Sequence, residues 1–260
     1  MAQEQISIFD MFKIGIGPSS SHTLGPWRAA QRFVASLETR SLLESVVEIK
    51  ILLYGSLAKT GIGHGTDVAV LLGLCGDDPV TCDVYEVGPK VEAIKSSHSL
   101  LLGGKQAISF SYSHDLLFLY AESLPFHPNA VTFQAFLNTG SAVSETYYSI
   151  GGGFVVQEEE ADVSKTDIEL PFPVDTAQDL MVWCMRTGLK ISELVLENEL
   201  SWRPEEETRA GVLAIFKAIK DCIYKGCHTP GVLPGGLHVE RRAAKLNKRL
   251  LKDKPYHDYD

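Results

Sequence analysis

The chain has 260 residues, 45% of them hydrophobic, and 24 Lys and Arg against 33 Asp and Glu, for a formal net charge of -9. That hydrophobic content suffices for a buried core in one large domain or two ordinary ones, and the acidic balance argues against a general nucleic-acid or anionic-membrane role. The opening MAQEQISIFD has neither the basic nor the apolar region of a secretory signal, and no later apolar run reaches membrane-spanning length. A cytoplasmic, soluble protein acting on small polar ligands is expected.

The first apolar segment, ISIFDMF, is strand-like and leads into GIGPSSSHTLGP, residues 15–26. Leu24, Trp27, Ala30, Val34 and Leu37 then recur at three- and four-residue intervals, the period of a helix with one buried face. Ser21 or Thr23 suits its N-cap, and Pro26 suits its first turn. VVEIKILLYGS reads as a half-buried strand with Val47, Ile49, Ile51 and Leu53 on one face. A second small-residue bend, YGSLAKTGIGHGTD (54–67), enters a buried helix, DVAVLLGLCG, capped by Thr66.

From Ala107 to Phe136, the runs AISFSY, LLFLY and AVTFQAF alternate as an antiparallel sheet would, and ETYYSIGGGFVV continues it. Gly151 to Gly153 suit a bulge or a close backbone approach to a ligand. The acidic, Pro-containing stretch 157–176 marks a linker between a domain over 1–156 and a helical segment over 177–260. In that segment Leu180, Trp183, Cys184 and Thr187 keep helical spacing, as do Val212, Ile215, Phe216, Ile219 and Ile223, and a basic helix runs from about Glu240 to Lys252.

Both small-residue bends place a histidine beside hydroxyls at a helix entrance. Ser19, Ser20, Ser21 and Thr23 serve there either as a cradle for a carboxylate or phosphate or as plain helix capping. His22, His64 and the His127 of LPFHPN sit at element ends, where a rigid scaffold aims loop groups at solvent. Asp67 either orients an imidazole ring or starts a helix. The remaining histidines, His98, His114, His228, His238 and His257, read as surface residues. A serine hydrolase built on Ser21 and His22 is disfavoured, because adjacent residues at a helix entrance diverge and no G-x-S-x-G elbow occurs. Cys75, Cys82, Cys184, Cys222 and Cys227 show no C-x-x-C spacing, so reduced thiols are expected rather than disulfides or a metal knuckle.

Taken in order, ISIFDMFKIGIGPSSSHTLGPWRAA, YGSLAKTGIGHGTD, LPFHPN, ETYYSIGGGFVV, ENEL and GVLPGGLHVERRA resemble the motifs of the iron–sulfur L-serine dehydratases, or L-serine ammonia-lyases. The likeness runs from about Ile6 to about Leu250. It implies β-elimination of L-serine to pyruvate and ammonia, with a [4Fe-4S] cluster as Lewis acid on the leaving hydroxyl. It implies His64 as general base and His22 and His127 as catalytic groups that bind or orient substrate. Ser19, Ser20, Ser21, Thr23, Thr66 and Asp67 would support the substrate.

For the first domain the resemblance implies an α/β fold with a mixed sheet, similar to the allosteric substrate-binding domain of certain phosphoglycerate dehydrogenases. For the helical segment it implies the opening of a catalytic alpha domain, incomplete in this chain. None of the five cysteines matches a cluster-ligand position of the family, so no metal ligand within this chain is expected. A fragment, truncation or frameshifted product, inactive by itself and completed as a homodimer or by a complementary alpha half, is expected. The alternative is a non-catalytic module that binds L-serine without turnover.

Overall fold

The computed structural model describes residues 6–160, 168–233 and 239–252. Part of the expected linker, residues 234–238 of the GVLPGGLHVERRA motif with His238, and residues 253–260 with His257 lie outside them. The described residues form two units, one of 14–160 and one of 6–13, 168–233 and 239–252.

The second of these begins with a helical turn, Ile8–Met11 (α1), where the apolar pattern suggested a strand. The Ser7 side chain caps it and Asp10 reaches back to the Ser7 N–H, so this local capping box outweighs the apolar alternation.

The other unit is α/β. A π-helical turn, Ser20–Leu24, runs directly into Gly25–Thr39 (α2). Neither Ser21 nor Thr23 caps it: the cap is Ser19, whose hydroxyl accepts the His22 N–H. The expected apolar face is buried, with Trp27, Ala30 and Leu37 at 0% exposure. Val46–Tyr54 (β1) delivers Gly55–His64 (α3), so the second bend is itself a helix, and Thr66–Leu74 (α4) follows at once. Gly65 between them has φ +66, the left-handed conformation that ends one helix without a Cβ penalty and lets the next start in a new direction. Thr66 therefore does not cap α4 through its side chain.

Val87–Ser97 (α5), Ser99–Leu102 (β2), Gln106–Ser109 (β3), Tyr112–Asp115 (α6) and Leu116–Leu119 (β4) follow. Ala130–Leu137 (β5), Ala142–Gly151 (β6) and Phe154–Val156 (β7) complete the unit. The main sheet is mixed, in the order β4-β1-β5-β6-β7. Only β4 is parallel to its neighbour, pairing Ile51 with Leu116, whereas β5, β6 and β7 are antiparallel. The antiparallel reading thus holds for AVTFQAF and ETYYSIGGGFVV, but AISFSY pairs with β2 in a separate two-stranded ribbon and LLFLY joins parallel to β1.

One face of the sheet packs on α2, α4 and α5 through Ile49, Ile51, Leu53, Phe133 and Tyr147. Val47 is not part of it. A bulge between Val46 and Glu48 inserts an extra residue opposite Leu137 and Phe136, which turns Val46 into the core and leaves Val47 49% exposed. On the opposite face, Tyr54, Ala130 and Tyr148 form a smaller cluster with Leu124 packed against it.

In the helical unit, Ala177–Thr187 (α7), Ile191–Glu199 (α8), Glu205–His228 (α9) and Ala243–Leu251 (α10) follow α1. Thr176 caps α7 in a capping box with Asp179. Buried Glu199 accepts from the Ser7 hydroxyl at 2.8 Å, the Ile8 N–H at 2.6 Å and Arg203 at 3.0 Å, which fixes α1 within this unit. Such a charge is tolerated inside because both carboxylate oxygens have donors, one of them the cationic Arg203.

Candidate functional site

The two histidine-bearing corners meet. The rings of His22 and His64 lie 5.0 Å apart, centroid to centroid, tilted by 42°. Two threonines tie the corners reciprocally. Thr23 donates its hydroxyl to the His64 carbonyl at 2.8 Å, and Thr66 donates to the His22 carbonyl at 2.5 Å. Both threonines are buried, so these bonds are shielded from competing water.

His22 is held at both ring nitrogens, Nδ1 by the Ser21 hydroxyl and Nε2 by the Ser56 hydroxyl, each at 2.9 Å. Serine hydroxyls donate or accept, so neither tautomer is imposed. His64 differs: its Nδ1 faces the Thr60 carbonyl at 2.9 Å, and a carbonyl only accepts. The Nδ1 position must therefore carry the hydrogen, which leaves Nε2 with its lone pair available to take a proton.

His127 lies on the 120–129 loop, which is pinned to the same corner. Gly55 donates to the Glu122 carbonyl and Ser56 donates its N–H to the Pro128 carbonyl, at 2.8 and 3.0 Å. Gly55 has φ +50, and a Cβ there would overlap the Pro128 carbonyl, so no other residue fits this approach. Phe126 packs on Tyr148 with ring centroids 4.6 Å apart, holding the loop from the sheet side. The Nδ1 of His127 accepts the Asn129 N–H at 3.1 Å, which places the hydrogen of the neutral ring on Nε2 as a donor.

The hydroxyls divide by environment. Ser19 caps the turn and Ser21 holds His22, whereas Ser20 is exposed. Asp67, buried at 6% exposure, faces no histidine and accepts from Tyr112 at 2.6 Å. Burial first, and then this bond, push the Tyr112 phenol far above its ordinary range. Sequence reasoning missed Ser56, Ser149 and Asn129. Ser149, on β6, donates to the Ser21 carbonyl at 2.7 Å, and Asn129 donates to the Ser149 carbonyl at 3.2 Å. The signal was there in YGSL and TYYSIGGG, but a single serine in a strand or at a helix start carries no pattern of its own. The glycines after Ser149 turn β6 into β7 through the expected irregularity, a register shift between Ser149 and Gly151, and Gly153 packs against Leu24.

A cleft of about 660 Å³ beside Arg32, Ser36, Arg40, Glu145 and Tyr147 contains none of these histidines. Its Glu145 is already held by Arg40, Ser36 and Tyr147, so we read this cleft as structural packing of α2 on β6.

Among the described residues, no three His, Cys, Asp or Glu side chains come together as a metal site. Cys75 lies in the apolar core, and burial, ahead of nearby charges, pushes its thiol up to about 11, the reverse of what a thiolate ligand needs. The described residues therefore do not fit a [4Fe-4S] cluster.

Burial, reinforced by the neighbouring His64 charge and opposed by hydrogen bonding at Ser56, holds the His22 pKa below its ordinary 6.5. The folded state thus favours neutral His22. Its stabilising contribution is fully present above pH 6.5 and is lost as pH falls from there through the lower folded value. The C2–H resonance of His22 is expected to titrate below pH 6.5, and His22→Gln should flatten the urea-midpoint slope in that window. A His22 midpoint above 6.5 would contradict the burial argument.

A family model described as serine dehydratase beta chain matches residues 7–160. The chain is similar to the L-serine dehydratase of Streptomyces coelicolor, 47% identical over 249 residues, which are 94% of this chain and 55% of that protein. It is similar to L-serine dehydratase 1 of Escherichia coli at 39% over 248 residues, 95% of this chain and 54% of the relative. The L-serine dehydratase of Helicobacter pylori is 38% identical over 253 residues, 95% of this chain and 54% of the relative. The chain spans about half the length of the curated relatives it matches.

Proposed function

We propose a role in L-serine breakdown that proceeds from one premise: the chain belongs to the serine dehydratase beta chain family. The site formed by His22, His64 and Ser56 binds L-serine and serves its β-elimination to pyruvate and ammonia. The observation that carries this reading is the His64 Nδ1 contact with the Thr60 carbonyl, which leaves Nε2 free to receive a proton. His64 is the general base for the α-proton. His22, kept neutral by its surroundings, and His127, through its Nε2–H, orient the substrate, and Ser20 offers an exposed hydroxyl to its carboxylate. Thr23, Thr66 and Asp67 act one step back: the threonines hold the corners together, and Asp67 fixes the start of α4 through Tyr112.

The [4Fe-4S] cluster of the complete enzyme belongs, in this reading, to a complementary alpha half or subunit, and no step is assigned to it on this chain. Residues 1–156 are the beta domain, similar to the allosteric substrate-binding domain of phosphoglycerate dehydrogenases; 157–176 are the linker, and 177–260 open the alpha domain. A cytoplasmic location is supported by five cysteines that all remain unpaired. Assembly is as a homodimer or with the alpha half.

A second reading, L-serine binding without turnover, is favoured by the missing metal-ligand group among the described residues. Calorimetry and a pyruvate assay under anaerobic, iron-replete conditions test both. The 260-residue chain is expected to bind L-serine in preference to D-serine and to form no pyruvate alone. Pyruvate production by this chain would overturn the assignment of the cluster elsewhere, and indifference to both enantiomers would overturn the substrate.

A further inference from the structure

The helical unit presents an amphipathic face that its own residues cover only in part. Among its described residues, Leu194 is the one apolar side chain in the fully buried class, whereas the α/β unit buries Trp27, Phe33, Phe133 and many more. Several packed helices ordinarily bury a continuous apolar stripe from each member. On α9 the stripe runs through Val212, Ile215, Phe216, Ile219 and Ile223, within an arc of roughly 100° at 3.6 residues per turn. Yet Phe216 is 53%, Ile219 44% and Ile223 52% exposed. The opposite face is polar, with Lys217 paired to Asp221 at 2.7 Å. A helix with this sequence has a solvent side and a core side, and here the core side is only partly covered: Val212 and Ile215 are half-buried, and Phe216, Ile219 and Ile223 remain about half exposed.

We propose that this stripe of α9 is a docking surface for the part of the L-serine dehydratase relatives that this chain does not match. That part is a little under half of each relative's length, since the matched region is 54 to 55% of it. Chain of that size is enough to supply an apolar helical face against the three turns from Val212 to Ile223, about 16 Å of α9 at 1.5 Å per residue. The inference rests on the family reading above, because it takes the occupant from those relatives. A second copy of this chain is the competing occupant.

The test expresses the 260-residue chain together with the unmatched part of the Streptomyces coelicolor relative as a separate polypeptide. Light scattering after size exclusion is expected to find a one-to-one complex. Phe216→Gln with Ile223→Gln, which keeps good helix formers on a face open to water in the free chain, should raise the Kd about 100-fold or more. Asp221→Asn on the polar face should leave it unchanged. Absence of a complex, a complex indifferent to the double substitution, or a homodimer of this chain abolished by it would each overturn the proposal. L-serine calorimetry on the same samples keeps the two readings apart: docking with no serine binding sinks the substrate assignment alone, and serine binding with no docking sinks the interface alone.

Discussion

Replacing His64 by glutamine is expected to lower L-serine turnover by about 10²- to 10⁴-fold in the enzyme assembled with its complementary half, with little change in KM. Glutamine approximates the length of the imidazole and can still donate to the Thr60 carbonyl, so the α3 terminus keeps its bond. What it lacks is a nitrogen lone pair able to accept the α-proton. The same change at His22 should cost less in kcat and more in KM. Both ring nitrogens of His22 are engaged by Ser21 and Ser56, which is why the proposed reading gives this ring a positioning role and leaves the proton to His64. The steady-state constants of the two variants decide between the roles. Retention of more than about a tenth of kcat by His64→Gln, or an equal loss at His22→Gln, would mean that the base lies elsewhere.

The pairing of the two corners was legible in the sequence because each repeats one chemistry, a histidine beside hydroxyls at a helix entrance. How they are joined was not. Thr23 and Thr66 each look like helix caps, since local backbone reasons favour threonine at helix starts, yet each hydroxyl crosses to the other corner's carbonyl. Sequence spacing is blind to a bond between residues 41 or 44 positions apart. The same limit explains β4: the apolar run LLFLY marks a strand without marking its direction, and only the long crossover after β1 makes it parallel. Val47 fails for a subtler reason. Its alternation with Ile49 is regular in the sequence, and a single bulge, which leaves no mark in the periodicity, turns it out to solvent. On α9 the periodicity is sound and the helix forms, but the stripe it marks stays about half exposed at Phe216, Ile219 and Ile223, because periodicity specifies a face and not what covers it.

Replacing Gly25 by alanine should destabilise the α/β unit by about 1 to 5 kcal/mol net, although in a helix the change alone would gain up to about 1 kcal/mol from propensity. A Cβ at this first residue of α2 would overlap the Ser149 hydroxyl and come within 2.8 Å of its Cβ, with the Ser20 carbonyl 3.4 Å away. Rotating the Ser149 hydroxyl does not relieve a clash with its Cβ, so α2 must move off β6. The movement also breaks the bond from Ser149 to the Ser21 carbonyl, a group half-buried beside His22. Overpacking of this kind costs about 1 to 3 kcal/mol, and a stranded carbonyl adds about 1 to 3 more, which together exceed the propensity gain. Urea denaturation of the single variants and the pair isolates the cause. Ser149→Gly alone loses the hydrogen bond, and in the Gly25→Ala, Ser149→Gly double variant the alanine finds space, so the second change should rescue most of the first. If the two losses simply add, the close approach of α2 to β6 is not what requires glycine at residue 25. If they couple strongly, the Ser21–His22 corner is held in place by the thinness of the helix where it crosses the sheet.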